Sequence, residues 1–582
     1  MHKQKCSDHN CVLGNIFSAN YDKSFLEKYS HSLQDKKVSG DVTIFIAKKI
    51  ITMNKMMPEA NAIAIQGDRI YAVGNLLDIE TSLKIKKQPY SINANYKDSF
   101  FYPGFIESHC HASMEALYTN FHYIGAFSRM SANAGLLPGL SSNIEIISHL
   151  KNLLKQNNPK ALVAWGYDPT VLNDKNTITV HDLDEISKEI PIVIMNMSGH
   201  IAYVNHNVLE KLSYDEHTKI EGLVKDSNGN LTGELQELEA LAPLISKMTL
   251  SEEKLVDGFH KFATVANKKG VTTITDLGLG LIPNAWKAMQ QVSNEDSFPV
   301  KISNYVINHV YEHLGGSKAF FDAKTYENKK LKLSGIKVIA DGSMQGYTAN
   351  MNWPYYYDSD TNGMSNIKVP ELNRLLQDLL RHDIQVAIHT NGDASIDEVL
   401  STIEHVLRFA PDRDPRFRLE HCQTVTEPQL KKMRKYNVMA NFFINHIYYW
   451  GDFHAKHTLG PERVKHMNPL NSAKQNDIIF ALHSDSPITG IDPLLMIQNA
   501  VLRQSLTKQT LGENECITAY DALKAITKDA AYLLREEDEK GTLEVGKLAD
   551  ITILEEDIFA VAADKIADIK IIGTLVNGEI FC

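Results

Sequence analysis

Cysteine is scarce in this chain. Six residues (Cys6, Cys11, Cys110, Cys422, Cys516 and Cys582) are scattered along it, too few and too dispersed for a disulfide framework. No apolar run approaches the ~18 residues that mark a membrane-spanning helix. Dense lysine and arginine blocks are missing too. With 60 basic against 71 acidic residues the net charge is −11, which argues against a nucleic-acid partner. The opening MHKQKCSDHNCVLG carries lysines but no apolar segment behind them, so no secretory leader is expected and a cytoplasmic location is. Cys6, His9 and Cys11 have metal-binding chemistry, yet their stretch is polar and terminal, and a frayed tail with reduced thiols is the expectation.

What is present is an ordinary globular balance, 43% apolar and 23% charged. A length of 582 residues suggests roughly three to four domains, although one α/β barrel can absorb ~250 residues or more. Residues 1–39 read as a polar N-terminal extension. The stretches 40–100 and 540–582 are rich in β-branched residues and glycine turns, including a GDR hairpin, and are expected to pair as one small β-sandwich built from both termini. Between them, 101–539 alternates short apolar strands with amphipathic segments such as VPELNRLLQDLLRHD, the pattern of βαβ units. The strand candidates are PGFIESH, GVTTITDL, PVKISNYVI, LSGIKVIADGS, IQVAIHT, RFRLEH, NVMANFF and DIIFALHSDS. Eight such units make a (β/α)8 TIM-type barrel the expected α/β fold, with its chemistry at the C-terminal strand ends. A long gap follows the first strand, so residues about 112–265 are read as an inserted, partly helical lid.

Polar residues gather at those strand ends. His109 and His111 finish the first strand. Period-two alternation puts Lys337 on one face with Ile339 and Asp341, His389 with Ala387 and Gln385, His421 with Leu419 and Phe417, and Asp485 with His483 and Ala481. A buried lysine must be neutralised or paired, for which Glu107 and Asp341 are candidate partners. Each histidine singly reads as a satisfied polar residue. Five strands ending in ligand-type residues read as a metal site.

The same residues carry a resemblance. PGFIESHCH, AWGYDP, SGHIAYVN, IKVIADGS, HTNGD, EHCQ, HSDSPI and GTLEVGKLAD together resemble the amidohydrolase superfamily. More narrowly, they resemble the type-3 group that contains N-substituted formamide deformylase. The resemblance implies a hydrolase of non-peptide C–N bonds with two divalent metal ions, zinc being the best match to imidazole and carboxylate ligands. His109, His111 and Asp485 would hold one ion and His389 and His421 the other, with Lys337, carboxylated by CO₂ to a carbamate, bridging both. A metal-bridging hydroxide would attack the substrate and Asp485, the catalytic residue, would shuttle the proton. A deaminase, a lactone or ester hydrolase and a metal-free scaffold protein are the alternatives.

His200 is expected to face a small-molecule substrate, and Trp165, Tyr167 and Asp168 either wall the pocket or fold the lid. Glu237 in TGELQELEA matches an acidic lid helix, or with Glu234 and Glu239 forms a solvated face. Tyr448, Tyr449 and Trp450 suggest an aromatic rim. Departures from the pattern are Glu107 in place of the usual aspartate, expected on the inward face with His109, and His483, expected to orient Asp485. Neither a nucleic acid nor a membrane is implied as partner. Oligomeric state stays open, dimers being common among similar enzymes.

Overall fold

Eight short segments, most of them rich in valine, isoleucine and leucine, form one parallel sheet. They are Phe105–Ile106, Val271–Leu279, Lys301–Ile307, Leu331–Ile339, Gln385–Thr390, Arg418–His421, Met439–Phe442 and Phe480–Leu482, each hydrogen-bonded to its neighbour in chain order. All eight coincide with segments expected from the sequence. The structure is a computed structural model and describes residues 41–582 apart from 158, 175 and 249. The extension 1–39, with Cys6, His9 and Cys11, lies outside the described residues.

The strands are buried on both faces, as parallel strands covered by helices must be. Helix Val369–Arg381 shows the covering pattern: Leu372, Leu375, Leu376, Leu379 and Leu380 recur at three- and four-residue spacing and are all buried. On the other face Ile106, Leu277, Tyr305, Ala387, Met439 and Ala481 make a separate core, closed at one end by Ala530, Ala531 and Leu533 of helix Lys528–Leu533. The first and last strands meet: Ser108 Oγ donates to Leu482 O at 3.2 Å, and Asp485 N donates to His109 O at 3.2 Å.

Both ends of the chain share a second, eight-stranded sheet. Val42–Ile51, Glu59–Gln66, Arg69–Gly74, Tyr90–Asn93 and Phe100–Pro103 are joined by Ile551–Leu554, Ile571–Val576 and Glu579–Phe581. The GDR hairpin forms where expected, Gln66 opposite Arg69, with Gly67 at φ 59°, a left-handed turn position that glycine takes without steric cost.

The insert holds helices such as Asn143–Asn157 and Glu237–Lys247. It carries a six-stranded mixed sheet, in the order Leu223–Lys225, Leu231–Gln236, Ile201–Val204, Ile192–Asn196, Leu162–Tyr167, His122–Tyr123. Its own core includes Ile146, Leu150, Ala164, Tyr167 and Ile194. Among the described residues no helix is long and apolar enough to cross a membrane.

Candidate metal centre

The C-terminal ends of the parallel strands bring His109, His111, Lys337, His389, His421 and Asp485 into one buried cluster. Asp485 Oδ1 lies 3.3 Å from Nε2 of both His109 and His111, and Oδ2 lies 3.7 Å from His421 Nδ1. Lys337 Nζ is 3.3 Å from His109 Nε2. The His389 and His421 rings are 4.4 Å apart, and those of His109 and His421 4.7 Å.

Alternation placed Lys337, His389 and Asp485 correctly, but not His421. On the sixth strand Leu419 and Phe417 pack in the helix-side core, whereas Arg418 and Glu420 are the residues that reach His109, Tyr305 and Ser108. His421 enters the cluster because its φ of 70° breaks the period of two. Asp485 is also left-handed, at φ 55°. Such backbones cost on the order of 1–3 kcal/mol each and persist only where surrounding structure enforces them.

Burial keeps three of the histidines in their neutral form. It pushes His109, His389 and His421 well below the usual imidazole range, with Lys337 adding to the effect at His109 and His389 and neighbouring imidazoles at His421. Neutral imidazole is the form that ligates. Burial also holds the Lys337 ammonium down to about 8 against the pull of Glu420 and Asp485. Those two are the acidic groups that act on it, not the expected Glu107 or Asp341. Asp341 instead accepts backbone N–H bonds from Asn350, Asn391 and Gly392 at 2.8–3.0 Å, fixing the loops beside His389. Glu107 does not point its carboxylate at the cluster but accepts from Ser484 N at 3.1 Å and Ser484 Oγ at 2.7 Å, tying the first strand to the last.

Glu420 is the residue the sequence reading missed. It accepts from His109 Nδ1 at 2.6 Å, from Asn441 at 2.8 Å and from Arg418, all fully buried. Burial raises a carboxyl pKa, but the Arg418 guanidinium outweighs it and holds Glu420 low. With Nδ1 engaged, His109 presents Nε2 to the cluster, the usual arrangement behind a metal-bound histidine. An Arg-x-Glu-His run at a strand end was the available signal.

The donor set fits a metal. His111 Nδ1, His421 Nδ1 and Asp485 Oδ1 are buried and make no hydrogen bond of acceptable geometry, a condition that polar groups in native cores rarely keep. One ligand atom each from His109, His111 and Asp485 lies within 4.8 Å of the others.

A cavity of about 830 Å³ opens from His111 and reaches His200, which stands 5.9 Å, ring to ring, from His389. His200 Nδ1 is 3.0 Å from Glu237 Oε2, so Glu237 serves this histidine rather than a solvated face. Burial would lower His200, but the Glu237 carboxylate outweighs it and raises it. Trp165 and Asp168 do not join them. Trp165 lines a smaller cavity of about 210 Å³, under the Arg129 guanidinium at 4.6 Å. Asp168 caps the turn Pro169–Val171 and accepts from Trp450 Nε1 at 2.9 Å. The expected aromatic rim is also absent from the larger cavity: Trp450 is fully buried, and Tyr449 packs on Phe127.

This fold and cluster define the class. The chain belongs to the amidohydrolase family, whose type-3 pattern matches residues 97–581, and it is thereby a hydrolase of the class acting on carbon–nitrogen bonds. Among similar proteins, the YtcJ protein of Bacillus subtilis (strain 168) is 25% identical over 541 residues, covering 88% of this chain and 96% of that one. N-substituted formamide deformylase of Arthrobacter pascens is 23% identical, covering 89% and 94%. A crystal structure of an uncharacterised metal-dependent hydrolase from Pyrococcus horikoshii shares the fold with a TM-score of 0.70 at 21% identity, covering 90% of this chain and 99% of that one.

Proposed function

We propose that this protein is a binuclear metal-dependent hydrolase that cleaves the C–N bond of a non-peptide amide, releasing a carboxylate and an amine. The observation that carries the reading is the convergence of His109, His111, Lys337, His389, His421 and Asp485, with buried ligand atoms that the protein itself leaves unpaired. The sheet is read as a closed (β/α)8 barrel spanning 101–539, the two-ended sheet (40–100 with 540–582) as a β-sandwich, and 112–265 as the lid over the site.

His109, His111 and Asp485 would hold one cation, His389 and His421 the other. Lys337 would give both an anionic ligand once its free amine has added to CO₂ as a carbamate, losing a proton. Two divalent cations there, zinc first among them, supply Lewis-acid polarisation of the scissile carbonyl and a water of lowered pKa. Asp485 takes the proton from the attacking water and passes it to the departing nitrogen. His200, oriented by Glu237, donates a hydrogen bond to substrate from the lid side. Met114, Met195, Leu241, Ile245, Met248 and Ile282 line the cavity, which suits a substrate with a bulky apolar substituent.

The test is elemental analysis followed by a hydrolysis screen of metal-loaded protein. Two ions per chain and turnover of N-formyl or N-acyl amines with apolar substituents are expected. No metal uptake even at raised bicarbonate overturns the centre. One firmly held ion with activity only on aminated heterocycles replaces amide hydrolysis with deamination.

A further inference from the structure

His483 has no place in the metal set just proposed, yet it lies in the middle of it. The residue is fully buried, and neither ring nitrogen has a hydrogen-bond partner. A buried donor or acceptor left unpaired forfeits the hydrogen bonds it made with water and gains none in return. Asp485, two residues on, makes no hydrogen bond to it, so His483 does not orient that carboxylate as the sequence suggested. Stacking holds the ring instead. It lies nearly parallel to His109 (4.6 Å, 19°) and to Phe443 (5.1 Å, 27°), and edge-on to His421 (5.0 Å, 66°). One ring nitrogen each from His109, His421 and His483 lies within 4.8 Å of the others. Zinc–nitrogen bonds of ~2.0–2.1 Å require tetrahedral ligands somewhat closer than that, a contraction within reach of side-chain adjustment.

Resting on the binuclear reading above, we propose that His483 is itself a metal ligand, adding a third imidazole to the ion assigned to His389 and His421 while standing beside His109 of the other ion's set. His109 comes from the first strand and His421 from the sixth, so His483 on the eighth draws the two halves of the centre onto a shared nitrogen-rich floor. Three neutral imidazoles favour Zn²⁺, Co²⁺ and Ni²⁺ over Mn²⁺, which prefers carboxylate, carbonyl and water oxygens. A role as a mere packing residue leaves both nitrogens unpaired. A role behind another ligand needs a hydrogen bond to that ligand, and none is present.

The experiment uses the full chain, its His483→Gly variant, which leaves a hole the size of an imidazole, and His483→Phe, which keeps the stack between His109 and Phe443. Each is titrated with Co²⁺ against a competing chelator while the visible ligand-field spectrum is recorded, and folding is checked by circular dichroism and melting temperature. Loss of an outer partner of a ligand costs about 10–100-fold in metal affinity. Both variants are expected to lose more than that for one equivalent and to change the Co²⁺ bands. Added free imidazole should restore affinity and spectrum in the glycine variant but not in the phenylalanine one. Should the glycine variant fail to fold, the phenylalanine variant decides by its affinity and spectrum. Wild-type affinity and spectrum in a folded variant overturn the assignment of His483 alone. No Co²⁺ uptake by the wild-type chain overturns the centre, and this ligand with it.

Discussion

At the scale of single residues, the proposed centre would divide groups that only ligate from one that also moves a proton. Asp485 sits between His109, His111 and His421, and its carboxylate is held ionised: burial raises its pKa, but His111, His483 and Lys337 outweigh that. Asp485→Asn keeps the shape and one oxygen donor but cannot accept a proton. It is expected to retain most of its metal and to lose kcat by about 10²–10⁴, the span of general acid–base work. His421→Ala should lose metal and activity together, because a ligand position is emptied. Metal content and kcat measured on both variants check this, and near-normal turnover in a metal-replete Asp485→Asn would move the shuttle to His200. Residue identity was legible in the sequence here, and so was orientation for Lys337, His389 and Asp485, but not for His421. Lys337 and His389 obey the period of two. His421 does not, because a left-handed φ at a non-glycine residue leaves no mark in the sequence. Glu420 was hidden by the same failure, since the broken alternation had turned it outward.

At the scale of elements, the eight parallel strands were legible because short apolar segments alternate with amphipathic helices in the βαβ pattern. The insert's own sheet was not, because its strands pair in mixed directions rather than in a repeating βαβ order. Its seat on the parallel sheet depends on helix Glu252–Lys268 lying against helix Ala112–Tyr118, which begins directly after His111. Gly258 permits the approach: a Cβ there would overlap the carbonyl of Ala116, a backbone atom that cannot swing aside. Gly258→Val is therefore expected to destabilise by about 1–3 kcal/mol, the usual cost of overpacking. The insert carries His200 and Glu237, so on the proposed reading KM should rise, while the proposed ligands on the parallel strands, all but His111, lie away from the helix pair and should keep most of the metal. Denaturant unfolding, KM and metal content test the three parts separately. Equal loss of metal and substrate affinity would mean that the helix pair supports the centre itself.

At the scale of the whole molecule, the two sheets are tied through buried charges at the ends of the strands opposite the centre. Lys301, on the third strand, is paired with Asp550, the residue just before strand Ile551–Leu554 of the two-ended sheet. Glu536 sits beside it, fully enclosed. It accepts from Ser303 at 3.1 Å and lies 2.6 Å from Lys540, which in turn donates to Thr273 at 3.1 Å. The pairing of the two β-rich ends was readable from composition; this junction was not, because its charges lie far apart in the chain and no local pattern links them. Burial raises a carboxyl pKa, but at Glu536 the charges of Lys540 and Lys332 outweigh it, and the group is held down to about 2. Its folded pKa therefore lies below the unfolded value of ~4.3. The folded state holds its proton less readily than the unfolded chain, so this contribution to stability is fully present above about pH 5 and is lost as the pH falls from there toward 2. A tenfold difference in proton affinity between the two states is worth about 1.4 kcal/mol, which makes the contribution a few kcal/mol at most. Glu536→Gln removes the charge at every pH. The wild-type chain is expected to melt at a higher temperature than this variant at pH 7, and the gap should close steadily between about pH 5 and pH 3. Melting temperatures of the two chains across that range are the measurement. A gap that stays constant would show that Glu536 does not carry the acid sensitivity of the junction.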